Sequence, residues 1–108
     1  MNIPKPGGSV RGSKSGKPIM ALFDLLGRNW SMTIMWYLKE GQKSFSDLEK
    51  KCDGISPTTL NTRLKELQTT FIIEKVVDGY KLTELGEELF NLFEPLREWA
   101  NKWANNFN

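Results

Sequence analysis

The stretch SFSDLEKKCDGISPTTLNTRLKEL, residues 44–67, has the pattern of two short helices joined by a tight turn. Ser44 or Ser46 can cap the first helix, because a serine oxygen accepts hydrogen bonds from the free N–H groups of a first turn. Asp53-Gly54 is a turn dipeptide, since glycine permits the positive φ that ends a helix. Ser56-Pro57 is typical of a helix start, with Ser as N-cap and Pro at the first helical position. The stretch therefore predicts a helix-turn-helix.

The second of these helices has an apolar stripe and a polar face. Leu60, Leu64 and Leu67 recur at the spacing that places them on one side. The opposite and flanking positions carry hydroxyls, an amide and two cations, on Thr58, Asn61, Thr62, Arg63, Lys65 and Thr69, with Glu66 as the one carboxylate. Such groups can bond phosphate oxygens and base edges in a DNA major groove, where a helix-turn-helix places its second helix. The alternative is the solvated face of an ordinary packed helix.

Length and composition bound the class of protein. A chain of 108 residues with 39% hydrophobic and 26% charged residues is typical of one globular domain. No apolar run is long enough for a transmembrane helix, and the N-terminus lacks the apolar region of a secretory signal. The single cysteine, Cys52, excludes an internal disulfide framework. We therefore expect a reducing, cytoplasmic setting and no membrane partner.

The sequence contains no histidine, which removes the commonest general base and the commonest metal ligand. With one cysteine as well, a zinc site is not expected. We find no paired carboxylates, no phosphate-binding glycine loop and no nucleophile elbow. The sequence therefore predicts neither an enzyme nor a bound metal or cofactor.

Residues 1–17, MNIPKPGGSVRGSKSGK, are rich in Gly, Pro, Ser and Lys. They have too little apolar surface to offset the entropy of ordering, so we predict a flexible basic N-terminal arm before a domain of residues 18–108. The arm carries a charge of +4, whereas the whole chain has a net charge of +2. Residues 18–108 therefore carry a net charge of −2. Such an arm either solubilises the chain or lies along DNA phosphates.

Two helices are predicted between the arm and the helix-turn-helix. The first begins at Pro18, ends at Gly27 and is apolar on more than one side, with Ile19, Leu22, Phe23, Leu25 and Leu26. Ser31 is predicted to cap the second, which runs from Met32 to Lys39. Its apolar side chains are interpreted as core, and a pocket of Met and Trp side chains for a small apolar ligand is the alternative.

The segment FIIEKVVDGYKLT, residues 71–83, predicts a β-hairpin. Asp78-Gly79 favours a type I′ turn, which requires positive φ at both central residues, between strands near 71–77 and 80–82. A hairpin directly after a helix-turn-helix is called a wing. Lys75 and Lys81 would flank its tip and reach phosphates; the alternative is that they blunt an exposed strand edge.

Thr83 is expected to cap a last helix whose apolar residues recur at a near-heptad spacing. Pro95 predicts a kink or break near Glu94. The helix has more apolar surface than one small core covers, which indicates a homodimer formed through the first and last helices rather than intramolecular packing alone. The predicted dimer interface comprises Ile19, Leu22, Phe23, Leu26, Leu89, Leu92, Phe93, Leu96, Trp99 and Trp103.

Between about Pro18 and Trp103 the chain resembles the HxlR-type, MarR-like winged helix-turn-helix transcriptional regulators. The most specific motif is ISP-x-x-L-x-x-R-L-x-E-L from Ile55 to Leu67, followed by DLLG-x-x-W from Asp24 to Trp30. The resemblance implies a mainly α fold with a small β-hairpin and a cytoplasmic homodimer that binds palindromic operator DNA. Its recognition helix would be residues 57–69.

The chain departs from that family in three ways. Many members carry a redox- or electrophile-sensing cysteine where this chain has Lys17. Arginine is common in the family where this chain has Thr58 and Thr62, and the wing is short. Cys52, at the end of the helix before the turn, is interpreted as a small buried or half-buried side chain rather than a sensor.

Together these patterns predict a sequence-specific DNA-binding transcriptional regulator that acts as a homodimer on double-stranded DNA. The predicted DNA contacts are Ser44, Ser46, Ser56, Thr58, Thr59, Asn61, Thr62, Arg63, Lys65, Lys75 and Lys81. The alternative is a winged-helix protein-interaction or dimerisation module with weak or lost DNA binding. Three features favour that alternative: the net charge of −2 on residues 18–108, the threonines at positions 58 and 62 where the family often has arginine, and the short wing.

Overall fold

The computed structural model describes residues 3–108, so the first two residues of the predicted arm lie outside it. The fold is mainly helical with one antiparallel β-hairpin, which confirms the predicted winged helix-turn-helix. Its elements are α1 (Pro18–Gly27), α2 (Ser31–Lys39), α3 (Phe45–Lys51), α4 (Pro57–Thr69), β1 (Ile73–Val76), β2 (Gly79–Leu82), α5 (Glu84–Asn91), α6 (Phe93–Ala104) and a terminal 3-10 turn (Asn105–Phe107).

The helix-turn-helix is built from local capping. Ser44 caps α3 by a capping box, in which its hydroxyl accepts from the Asp47 N–H and the Asp47 carboxylate accepts from the Ser44 N–H. Ser56 caps α4 by accepting from the Thr59 N–H at 3.1 Å. Gly54 has φ +95°, which permits the turn between the two helices. Of the two serines considered for the first cap, Ser44 therefore has this role.

The leucine stripe of α4 lies at the centre of the hydrophobic core. Leu60, Leu64 and Leu67 are fully buried, together with Ile34 and Met35 of α2. Full burial of one such side chain stabilises the fold by roughly 1.5–3 kcal/mol. The core interpretation of α2 is therefore confirmed for Ile34, Met35 and Leu38 and wrong for Trp36, which is 49% exposed.

The start of α2 differs from the prediction. The helix begins at Ser31 itself, and Trp30 precedes it in a left-handed conformation with φ +75°. Ser31 is thus already helical, and its buried hydroxyl has no hydrogen-bond partner among residues 3–108. The predicted Ser31 cap is wrong, because a capping residue needs an extended backbone outside the helix.

The hairpin turn also differs from the prediction. The register pairs Val76 with Gly79, so the two loop residues are Val77 and Asp78, and neither has positive φ. The predicted type I′ turn at Asp78-Gly79 is therefore wrong. Gly79 is required instead in β2, because an added Cβ would lie 2.2 Å from the carbonyl oxygen of Lys43.

The wing is attached to the segment before α3 by that same contact. The N–H of Lys43 donates to the Tyr80 carbonyl at 3.1 Å, and the N–H of Tyr80 donates to the Lys43 carbonyl at 2.8 Å. These two bonds add a bridge alongside β2. The wing is thereby fixed relative to the start of the helix-turn-helix.

The predicted break in the last helix is present. α5 ends at Asn91 and α6 begins at Phe93, which places Pro95 in the first turn of α6. A proline in the first turn of a helix costs no helical hydrogen bond, because the N–H groups of that turn have no acceptor within the helix. α6 contains no buried residue.

Residues 3–17 lie against α1. The backbone N–H of Gly7 donates to Gly16 at 2.9 Å, and the N–H of Arg11 donates to the Asp24 carboxylate at 3.1 Å. Pro4 is buried. The flexibility of residues 1–17 stays a prediction.

Replacing Gly79 with Ala should lower the free energy of unfolding by about 1–3 kcal/mol, because the Lys43 backbone must move away from the new methyl group. Urea denaturation followed by circular dichroism measures the change.

Gly27→Ala is the matched control, since an added Cβ there meets no atom within 4 Å. Gly27 is the last residue of α1, where alanine is the better helix former, so this variant should be neutral or slightly stabilised. Equal losses in the two variants would contradict the close approach at Gly79.

Candidate nucleic-acid interface

The outward face of α4 is polar and accessible. Thr58, Asn61 and Lys65 are exposed, and Thr62 beside them is half-buried. A helix turns about 100° per residue, which directs these four side chains away from the leucine stripe. Within the described residues, the Asn61 amide and the Lys65 ammonium have no hydrogen-bond partner. Both groups are therefore available to an external ligand.

The predicted contacts at the starts of α3 and α4 are partly occupied within the protein. Ser44 and Ser56 serve as caps, and the Ser56 hydroxyl also donates to the Thr59 hydroxyl at 2.9 Å. Ser46 lies in the first turn of α3 and is exposed. Of these four side chains, Ser46 is the one that is exposed and makes no hydrogen bond within residues 3–108.

Arg63 is directed away from the polar face. Its Nε donates to the Asn29 carbonyl at 2.7 Å, and its Nη1 donates to Glu66 at 3.1 Å. The side chain is only 19% exposed. The structure therefore separates Arg63 from Asn61 and Lys65 and ties it to the connection between α1 and α2.

Arg63 is part of an ion network that spacing arguments missed. Arg28 donates to Oε2 of the buried Glu66 carboxylate, whereas Arg63 donates to Oε1. Arg28 also lies 3.4 Å from Asp24 of α1. Arg11 contacts the same Asp24. The network joins the N-terminal segment, α1 and α4, and so fixes the orientation of α4. Arg28 and Glu66 lie 38 residues apart in the sequence, and no local pattern marks such a pair.

Asp24 is ionised within this network. Burial of its carboxyl opposes ionisation, but hydrogen bonds from the Arg11 N–H and the Arg28 side chain, with the charges of both arginines, outweigh that effect. The pKa of Asp24 is therefore held below its ordinary value.

The two wing lysines differ in their surroundings. Lys81 lies directly across the hairpin from Glu74, with 3.6 Å between the ammonium and the carboxylate. Lys75 is exposed and has no ion pair within residues 3–108. Lys75 is therefore the more available of the two for a phosphate.

The residues predicted for a dimer interface fall into two groups. Six of these side chains are at least 48% exposed and form apolar surface on α1 and on the region from α5 into α6. They are Ile19, Phe23, Leu92, Leu96, Trp99 and Trp103. Within this surface the rings of Trp99 and Trp103 stack 6.2 Å apart. The other four are half-buried, and Leu26, Leu89 and Phe93 pack against the core. Leu22 instead lines a cavity on another side of α1.

Burial also settles the environment of Cys52. Its side chain is fully buried, and burial raises the pKa of the thiol. The interpretation of Cys52 as a small core residue is therefore confirmed. The part of the chain that the structure describes contains no cluster of carboxylate and cysteine side chains that could hold a metal ion.

Comparison with known families identifies the fold and its role. The model of the HxlR-like helix-turn-helix family matches residues 25–108. The chain belongs to this family. A helix-turn-helix transcriptional regulator of Methanocaldococcus jannaschii is 34% identical over 88 residues, which cover 78% of this chain and 83% of the relative.

Solved structures agree with this assignment. Quinone-bound YodB from Bacillus subtilis matches with a TM-score of 0.75 at 36% identity, over 78% of this chain and 96% of that protein. YodB is a helix-turn-helix transcriptional regulator. A MarR-family regulator from Enterococcus faecalis matches with a TM-score of 0.76 at 22% identity, over 88% and 93% of the two chains, which shows the shared fold.

The chain is therefore a DNA-binding transcriptional regulator, and its family and relatives are regulators rather than enzymes. Among residues 3–108, no helix has both the length and the apolar character needed to cross a bilayer.

Replacing Asp24 with Asn should destabilise the protein at neutral pH, because the ionised carboxylate is the form that the arginines stabilise. A lowered folded-state pKa contributes stability that is present above the unfolded value, about 3.9, and is lost as pH falls through the folded value. The difference in unfolding free energy between the two proteins should therefore be constant above about pH 5 and shrink below about pH 4. Urea titrations across this pH range measure it.

Asp78→Asn, in the exposed hairpin loop, is the control and should follow the wild-type curve. A difference that persists unchanged at low pH for Asp24→Asn would show that lost packing, not lost charge, explains the destabilisation.

Proposed function

We propose that the protein binds operator DNA as a homodimer, with α4 as the recognition helix in the major groove. The observation that carries this proposal is the exposed outer face of α4, whose amide and ammonium groups have no partner within residues 3–108. The ion network on one flank and the leucine stripe on the opposite side leave this face free.

Each side chain of this face has a role that its chemistry suits. Asn61 is the candidate for paired hydrogen bonds to an adenine edge, and Thr58 and Thr62 for hydroxyl and methyl contacts to bases. Lys65 suits a phosphate, as does Lys75 on the wing. Ser46, Ser44, Ser56 and Thr59 lie at helix N-termini, where backbone N–H groups attract phosphate oxygens.

Two predicted contacts receive different roles. Arg63 is assigned to positioning α4, because its guanidinium is bound to Asn29 and Glu66. Lys81 is a weaker phosphate ligand than Lys75, because Glu74 lies beside it.

The apolar surface on α1 and α6 supports the dimer. Exposed tryptophans and leucines on one helix are typical of a surface that a second chain covers. To read two half-sites one turn of DNA apart, the two α4 helices of the dimer should lie about 34 Å apart. A cytoplasmic location follows from the proposal, since the bacterial and archaeal relatives have their DNA there.

Replacing Asn61 and Thr62 together with Ala should weaken binding to the operator by about tenfold or more and reduce its preference over scrambled DNA. Loss of one paired base contact removes about 1–3 kcal/mol of discrimination. Fluorescence anisotropy with labelled duplexes, one from the region upstream of the gene and one scrambled, measures both quantities across a salt series.

Two further variants sharpen this test. Lys65→Ala should weaken both duplexes equally and reduce the slope of log affinity against log salt by about 1. Asn101→Ala, on exposed α6, is the matched control and should change neither. If the wild type bound both duplexes weakly and equally, sequence-specific binding would be contradicted. The result would favour a winged-helix interaction module instead.

Replacing Leu96 with Glu should convert the dimer to a monomer, because the charge would be buried in an apolar interface without a partner. Sedimentation velocity measures the change in mass. Val77→Glu, on the exposed hairpin loop, is the control and should remain dimeric. A Leu96→Glu protein that is still dimeric would place the interface elsewhere.

A further inference from the structure

Arg28 lies outside the helix-turn-helix, in the connection between α1 and α2, yet its guanidinium joins two buried carboxylates. Its Nη1 donates to Glu66 of α4, and its Nε donates to Asp24 of α1 at 3.4 Å. The side chains of Arg28, Glu66 and Asp24 are 12%, 5% and 4% exposed. A guanidinium is planar with fixed N–H directions, so two such bonds leave it one orientation.

The same connection holds α4 at a second point. The carbonyl of Asn29 accepts from Nε of Arg63 at 2.7 Å, and Arg63 also donates to Glu66 at 3.1 Å. Arg63 and Glu66 are three residues apart, so they lie on one side of α4 about one turn from each other. Two adjacent residues, Arg28 and Asn29, therefore contact α4 at successive turns, which opposes both rotation and sliding of the helix.

The leucine stripe attaches α4 to the core in a different way. Leu60, Leu64 and Leu67 are fully buried, but apolar attraction is non-directional and by itself permits a range of helix rotations. Hydrogen bonds to charged groups weaken steeply when the donor and acceptor move out of line. The contacts of Glu66 and Arg63 therefore select one rotation among those that the leucines allow.

That rotation decides where the outward side chains of α4 point. Asn61, Thr62 and Lys65 alternate in the sequence with the anchored Arg63 and Glu66. A side-chain tip lies roughly 6 Å from a helix axis, so a rotation of about 10° moves it by about 1 Å. Paired hydrogen bonds to a base edge do not tolerate that displacement, whereas a lysine on its flexible stem still reaches a phosphate.

We propose that Arg28 is a positioning residue for DNA recognition. Through Glu66 it sets the rotation of α4, and so determines how strongly the protein prefers its operator over other DNA. The part of this inference that concerns DNA preference rests on the proposed function. The part that concerns the rotation of α4 is tested without DNA.

The rotation is measured from residual dipolar couplings of the backbone amides in the isotope-labelled full chain. Arg28→Met keeps an unbranched apolar stem and removes the guanidinium, and we expect α4 to turn by about 10° or more relative to α3. Leu38→Ala, in the core on α2, is the matched control. It should lower the urea midpoint by a similar amount and leave the rotation of α4 unchanged.

Fluorescence anisotropy with the upstream and scrambled duplexes tests the consequence for DNA. Arg28→Met should weaken binding to the upstream duplex by about tenfold and to the scrambled duplex by less than about twofold, whereas Leu38→Ala should keep the wild-type ratio. Arg28→Lys should restore the upstream affinity to within about threefold of wild type, because its ammonium can still pair with Glu66. Urea midpoints measured in the same buffer separate these effects from a loss of folded protein.

Glu66→Gln removes the charge with little change in volume, and it replaces Arg28→Met if that variant does not fold. It should change the rotation and the upstream affinity in the same direction. An unchanged rotation of α4 in the folded variant, a changed rotation with wild-type preference, or an equal loss of preference in Leu38→Ala would overturn the proposal. If the wild type showed no preference between the duplexes, the proposed function would fail, while the dipolar couplings would still decide whether Arg28 positions α4.

Discussion

The orientation of α4 depends on one buried carboxylate, that of Glu66, held between Arg28 and Arg63. A buried charge is tolerated only when it is paired and hydrogen-bonded, and removal of one partner from such a pair typically costs about 3–5 kcal/mol. Arg63 belongs to α4 itself, so the position of α4 in the fold depends on Arg28 reaching Glu66. The same constraint extends through Arg28 to Asp24, so α1 and α4 are fixed together.

This arrangement gives α4 three faces with separate roles. The leucines form the core, Arg63 and Glu66 attach the helix to the connection before α2, and the remaining side chains meet solvent. The solvent face carries an amide, hydroxyls and one free ammonium. Because few cations lie on it, a larger share of DNA affinity would come from neutral base contacts and a smaller share from phosphate neutralisation.

The C-terminal helices have more apolar surface than the core of one chain can bury. Leu82, Leu89 and Phe90 pack toward the core, but the chain turns at Leu92 and α6 has no buried residue. The tryptophans of α6 stack on each other and remain about half exposed. The N-terminal segment, in contrast, covers a side of α1 incompletely and leaves the cavity beside Phe71.

The sequence alone was sufficient to predict the features that depend on residues close together in the chain. The Ser44 and Ser56 caps, the leucine stripe, the presence of a hairpin and the break before Pro95 each depend on residues within a few positions of one another. Local hydrogen bonds and helical periodicity are sufficient to predict them, and the family resemblance agreed with them.

Features that depend on distant contacts were decided by the tertiary structure. Gly79 is needed for the approach of Lys43 rather than for a type I′ turn, and Trp30, not Ser31, precedes α2. The guanidinium of Arg63 could bind a phosphate, yet it donates instead to the carbonyl of Asn29, 34 residues away in the chain. Sequence spacing determined which side chains share a helix face, whereas the pairing of buried charges across helices determined which of those faces remains exposed to solvent.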